Sequence, residues 1–208
     1  MSILQIIGLW VLLNFIILVH EVGHALTAYL LDVRVKKIQL GVPALYTFKF
    51  FELPVSIGLI PLIGFAQVES ANIHWLKKLL IGIAGPASSF LFALVCYIAL
   101  GGSDLVTSFA SEWFYVIPVI KSFIYDTPSP IFTMVNQSDY SFIQKGLMLT
   151  GNINLSLAIL NMLPVPFLDG GRVLFALLEG VFGEWANKAQ EFLIPISFVV
   201  FMLWSIFR

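Results

Sequence analysis

Residues 3 to 31 form one apolar run in which Glu21 is the only carboxylate and His20 and His24 the only imidazoles, with no lysine or arginine. A helix needs roughly 20 apolar residues to cross a bilayer, so this run crosses with length to spare and can tilt or project. The rest of the chain must fold around a membrane span that carries two imidazoles and a carboxylate in its second half. Such groups are costly inside an apolar span and are retained for function.

Each residue of a helix turns by about 100°, which puts His20 and His24 one turn apart on one face, where they can grip a single metal ion. Glu21 projects beside them. A carboxylate in that place can take a proton from metal-bound water, the arrangement a metallohydrolase needs.

Composition agrees with the membrane reading: 59% of the residues are hydrophobic and 11% are charged, with a mean hydropathy of +0.96. The 208 residues suffice for four to six spans with short connections, read here as one integral membrane domain over 1–208 without a separate soluble one. A net charge of −1 offers nothing to nucleic acid. The single Cys96 lies in an apolar run and reads as packing. No small-residue cleavage site follows the first run, so it reads as a retained span.

After the first span, Asp32, Arg34, Lys36 and Lys37 mark a polar boundary, placed on the cytoplasmic side by the positive-inside tendency. From Val35 to Val68 the pattern changes to short β-branched and aromatic segments at 35–40, 45–51, 55–60 and 65–68. Pro43, Pro54, Pro61, Gly58 and Gly64 would break a helix repeatedly, so a small membrane-inserted sheet, a meander, is expected there. Strand edges cannot face lipid, and the sheet must be covered by protein or a water-filled cavity wherever it dips into the membrane.

Lys77 and Lys78 open a second span at about 79–100, which carries small residues suited to close helix contact. His74 precedes them and reads as interfacial. The segment 101–140 is acidic and proline-bearing, with a surface helix expected in 108–125. A third span at about 142–162 holds Asn154 and Asn161 on one face. Pro164 and Pro166 then stop the helix, so the chain is expected to reach Asp169 extended and to turn tightly at Gly170 and Gly171. A short apolar helix at 173–182 and a closing span at about 188–207 complete the chain. The fold class is thus a mainly α-helical membrane protein with about four transmembrane helices, a membrane-inserted β-sheet and a surface helix.

Catalytic zinc sites have three protein ligands and an open position. Asp169 is the best third ligand: it sits on Pro-bounded backbone and reaches the inner side by the same parity as His20 and His24. Glu52, Glu69 and Asp32 compete, but fall where a solvated charge is the simpler account.

These residues resemble the site-2 proteases, zinc metalloproteases that cut transmembrane segments of other proteins. The resemblance rests on His-Glu-Val-Gly-His at 20–24, on Gly85-Pro86 with Ser89, and on Asn161 through Gly170, which matches Asn-x-x-Pro-x-Pro-x-Leu-Asp-Gly at every specified position. It covers residues 1 to about 183 and is to a short form without a PDZ or CBS domain. It implies His20, His24 and Asp169 as ligands of one Zn2+ per chain, Glu21 as the catalytic carboxylate, and Asn161 as a polar contact to substrate. The implied activity is zinc-dependent intramembrane endopeptidase. The expected partners are the lipid bilayer and a single-span membrane protein, which must unwind its helix and can enter as an extended strand. A bacterial plasma membrane is expected, with an organellar one left open, and the positive-inside tendency puts the metal motif nearer the cytoplasmic side. The alternative is a membrane metal transporter or metal-binding protein, in which the histidines carry ions rather than activate water.

Overall fold

The computed structural model of the protein describes residues 3–69, 73–100 and 141–207. Its elements run α1 (Ile3–Leu30), β1 (Val35–Phe50), β2 (Leu53–Val68), α2 (Trp75–Ala99), α3 (Phe142–Asn161), α4 (Asp169–Phe182) and α5 (Glu184–Phe207). Three of the described helices, α1, α2 and α5, are long and apolar enough to cross a membrane. The helix α3 has 20 residues, but Asn152, Asn154 and Thr150 make it more polar than these three. The surface helix expected in 108–125 lies outside the described residues.

Of the described residues, 3–69, 73–88 and 161–207 form one compact unit, and 89–100 with 141–160 form a second. In the first unit, α1 ends by a left-handed residue, Asp32, with φ +57°. The amide of Val33 donates to Ala28 O at 2.8 Å and that of Asp32 to Tyr29 O at 3.1 Å, the paired bonds that close a helix whose next residue is left-handed. Lys77 Nζ adds a bond to Leu31 O at 2.7 Å, which suits the negative end of a helix dipole.

The chain then enters the hairpin β1–β2. Phe50 pairs with Leu53, and the two loop residues Phe51 and Glu52 both have positive φ, 44° and 67°. That geometry matches the right-handed twist of the flanking strands. The four expected segments form two long bent strands rather than a meander. Ile38, Gln39 and Leu40 pair on one side with Ala66, Phe65 and Gly64 and on the other with Val55, Ser56 and Ile57, while Tyr46 to Phe50 pair with Ile57 to Leu53. The spatial order is therefore 46–50, 53–57, 35–40, 64–68. The strands bend between residues 40 and 46, near Gly41 with φ +81°, and the hairpin folds back on its own first strand.

One face of this sheet buries Ile38, Leu40 and Val55 against Ile17 and Ala25 of α1. Trp10 Nε1 of α1 also donates to Leu59 O at 2.8 Å. The sheet is thus covered by the apolar helix along the stretch that contains Glu21.

Three boundaries differ from expectation. The helix α2 starts at Trp75, so Lys77 and Lys78 lie in its first turn instead of ahead of it, and the exposed His74 supplies the cap, its Nδ1 accepting from Leu76 N at 3.3 Å. The helix α4 starts at Asp169, four residues earlier than expected, and Gly170 and Gly171 lie in its first turn. The helix α5 starts at Glu184, because Gly183, with φ +66°, ends α4 and leaves no room for a longer loop. Lys78 Nζ ties these elements together, meeting both carboxylate oxygens of Glu179 at 2.9 and 2.8 Å and Asn187 Oδ1 at 3.2 Å.

In the second unit Ala93, Tyr97 and Leu155 form a small core. The Tyr97 hydroxyl bonds Asn152 Oδ1, and Asn154 Nδ2 donates to Thr150 O at 2.9 Å. The single cysteine, Cys96, is buried and free, in agreement with a packing role.

Candidate metal centre

Along α1, His20, Gly23 and His24 face α2 and α4, while Trp10, Ile17 and Glu21 face the sheet. The two faces meet at Glu21, and this places a carboxylate between the imidazole pair and the strands. The helical period alone sets the arrangement, since 20 and 24 are separated by one turn and 17 and 21 by another.

What allows imidazoles at 20 and 24 to be buried is a close crossing of α1 and α2 at small residues. A Cβ on Gly85 would overlap Nε2 of His24, and one on Gly23 would overlap Ser88 Oγ and Ala84 O. The Ser88 hydroxyl shares its proton between Gly85 O of its own helix at 2.8 Å and Val19 O of α1 at 3.0 Å, and the second bond fastens the crossing. His24 Nδ1 donates to Ile81 O at 2.6 Å. With the proton fixed on Nδ1, the lone pair of Nε2 is free to bind a metal, the usual division of labour in a ligating histidine.

The third group arrives on α4. Leu168 is extended, with φ −94° and ψ 167°, and Asp169 opens the helix. The turn is so tight that a Cβ on Gly170 would overlap the carbonyls of Met162 and Leu163, and one on Gly171 that of Val165. The glycine pair therefore serves close packing of the Asn161–Pro166 segment on the first turn of α4 rather than a turn after Asp169.

The result is a compact set of donors. Asp169 Oδ2 lies 2.9 Å from His20 Nε2 and 3.2 Å from His24 Nε2, and the two nitrogens are 3.3 Å apart. Ligand atoms around a tetrahedral zinc at 2.0–2.1 Å are separated by about 3.3–3.4 Å. The two nitrogens have that spacing and the two N–O distances fall 0.1–0.5 Å short of it, so small outward shifts of the donors admit the expected zinc ion. All three residues are buried, with 4%, 4% and 7% exposure, and among the described residues they are the group of three able to hold a metal. Burial by itself would raise the Asp169 carboxyl, but in the metal-free site, where the imidazoles can carry protons, the two rings and the Arg172 guanidinium beside it hold it well below the usual carboxylate range.

Glu21 is buried as well, at 5% exposure. Its Oε1 would lie 2.8 Å from a Cβ on Gly64, and Gln39 O would lie 3.2 Å from that Cβ. Gly64 opens the edge segment of the sheet, so the carboxylate of Glu21 borders the strands directly. Asn161 is the half-buried last residue of α3, immediately ahead of the carbonyls packed on Gly170.

The competing carboxylates are elsewhere. Asp32 terminates α1, Glu52 sits in the hairpin turn 3.5 Å from Lys49, and Glu69 pairs with Lys36 at 3.5 Å. His74 caps α2. The four charged groups are visible in the sequence, where Gly64 reads only as a helix breaker and Ile81 O gives no signal. Gly85 is visible as part of a motif, but its contact with His24 is not, since a glycine carries no chemical signal of what fills its space.

The sequence profile of peptidase family M50 matches residues 8–204. The chain is 36% identical over 75 residues to the zinc metalloprotease RasP of Bacillus licheniformis, a stretch that covers 36% of this chain and 17% of that protein. It is 35% identical over 75 residues to the regulator of sigma-W protease RasP of Bacillus subtilis, again covering 36% and 17%. Each alignment thus spans about one sixth of the relative's length. The family match, by contrast, runs through all three parts of the site, from the histidines of α1 through Gly85 to Asp169, and the chain belongs to peptidase family M50, the site-2 proteases its motifs resemble.

Proposed function

We propose that the protein is a zinc-dependent intramembrane endopeptidase that hydrolyses peptide bonds in or near the transmembrane segments of other proteins. The observation that carries this reading is the convergence of Asp169 from α4 on His20 and His24, with Glu21 adjoining them, in the apolar helix α1. By the rise of a helix, His24 and His20 lie about 9 and 15 Å from the C-terminal end of α1, which supports a site below the membrane surface. Arg34, Lys36, Lys37, Lys77 and Lys78 cluster near that end and favour a cytoplasmic orientation. In this reading α3 is the fourth span, its polar side chains turned from lipid.

His20, His24 and Asp169 would hold the metal through Nε2, Nε2 and Oδ2. When bound, zinc supplies the Lewis acidity that activates water and polarises a carbonyl at neutral pH. Glu21 accepts the proton of the attacking water on its carboxylate and passes it to the leaving amine, so that one residue serves as base and then acid. Ile17 and the sheet pack around Glu21 and limit the water that can reach it.

A substrate helix hides its carbonyls in its own hydrogen bonds and must unwind before it can be cut. Residues 64–68 form an edge of the sheet that starts beside Glu21. An extended substrate pairing there would regain in the ladder the bonds its helix gave up, with Asn161 as a further polar contact to its backbone. Residues that weaken a helix, such as Gly and Pro, should favour cleavage.

The test is cleavage of a panel of single-span substrates by purified protein in detergent micelles, with Glu21→Gln and a zinc chelator as controls. Glu21→Gln should abolish cleavage while zinc stays bound. Cleavage that survives in Glu21→Gln would remove Glu21 as the base, and zinc flux without cleavage would favour a transporter.

A further inference from the structure

Asp169 has two carboxylate oxygens, and they face different partners. Oδ2 is the atom directed at both imidazoles, whereas Oδ1 lies 3.7 Å from Nη1 of Arg172. Among the described residues Arg172 is the one cation besides the imidazoles that pairs with Asp169. It stands one turn further along α4, and its side chain is 50% exposed. The two residues between them are glycines pinned under the carbonyls of Met162, Leu163 and Val165, so the backbone that separates carboxylate and guanidinium is fixed.

We infer that Arg172 is a positioning residue for the metal ligand Asp169: it holds the non-ligating oxygen so that the carboxylate offers Oδ2 alone to the ion. A carboxylate on a freely rotating χ2 could turn either oxygen, or both, toward a metal. A permanently charged guanidinium beside one of them removes that freedom without competing for the metal, as an ammonium on a flexible stem would do less well. Partners that orient a ligand in this way typically contribute 10–100-fold to metal affinity. The inference rests on reading Asp169 as a ligand.

The experiment measures zinc affinity of the purified protein in micelles by competition with a chromophoric chelator, for wild type, Arg172→Gln, Arg172→Lys, Asp169→Asn and the double variant Arg172→Gln/Asp169→Asn. Arg172→Gln should weaken zinc binding about tenfold or more, Arg172→Lys should recover part of the loss, and Arg172→Gln should add little once Asp169 is Asn. The zinc-free unfolding temperature of Arg172→Gln should match wild type, since the side chain is half exposed. Wild-type affinity in Arg172→Gln, an equal loss in both Asp169 backgrounds, or a fold weakened without zinc would each overturn the inference. Zinc binding left intact by Asp169→Asn would instead refute the ligand assignment beneath it.

Discussion

The imidazole of His24 occupies the space that a side chain at residue 85 would need. Gly85 in α2 has no Cβ, and Nε2 of His24 lies where that atom would be. The same ring donates from Nδ1 to Ile81 O at 2.6 Å, so α2 both makes room for the ligand and sets its tautomer. Gly85→Ala should therefore push the ring off its position and lower zinc affinity at least tenfold, as read by metal content after dialysis against a weak chelator. Retention of zinc at wild-type affinity would show that the ring can move without cost.

Gly64 plays the matching part for Glu21. A Cβ there meets Oε1 at 2.8 Å and overlaps Ile17 Cγ2, and its three nearest neighbours include none of the three ligands. Gly64→Val should reduce the turnover of a model substrate strongly while leaving zinc stoichiometry at one per chain. Equal losses of zinc and turnover would mean that the sheet acts on the metal site rather than on the carboxylate.

Lys78 and Glu179 are a mostly buried ion pair, with side-chain exposures of 25% and 15%. Removing one partner leaves the other charge desolvated, whereas removing both need not destabilise. Lys78→Ala should lower stability by about 1–3 kcal/mol, and Lys78→Ala/Glu179→Ala should recover part of that. Thermal unfolding in micelles checks both, the prediction failing if the double variant is as unstable as the sum of the singles.

Asp32 ends α1 with φ +57°, a conformation that glycine adopts at less cost. Asp32→Gly should raise stability by about 0.5–1 kcal/mol and leave zinc content unchanged. Loss of zinc in this variant would bring Asp32 back as a ligand.

Much of the site is legible in the sequence because its signals are periodic or chemical. The interval between His20 and His24 reads directly as one helical turn, Glu21 is the carboxylate beside them, and Asp169 follows from the need for a third ligand and from the prolines that precede it. The helices follow from apolar runs. Pairing is less legible, because the register of the sheet depends on where β1 bends, and nothing in residues 41–45 reveals that 38–40 will meet 55–57 as well as 64–66. Gly170 and Gly171 read as a turn because glycine permits one, yet they lie inside α4, where tertiary packing of the 162–165 carbonyls decides their use. Lys77 and Lys78 read as a border before α2 because charge marks interfaces, although long side chains let them sit in its first turn and reach Leu31 and Glu179.

The account turns on a single ion held by two α1 imidazoles and the α4 carboxylate, and zinc K-edge absorption of the purified protein tests this most directly. The predicted spectrum shows light-atom ligands at about 2.0–2.1 Å with outer-shell scattering from two imidazoles, falling to one in His24→Ala. A sulfur shell, or a two-imidazole spectrum unchanged in His24→Ala, would contradict it.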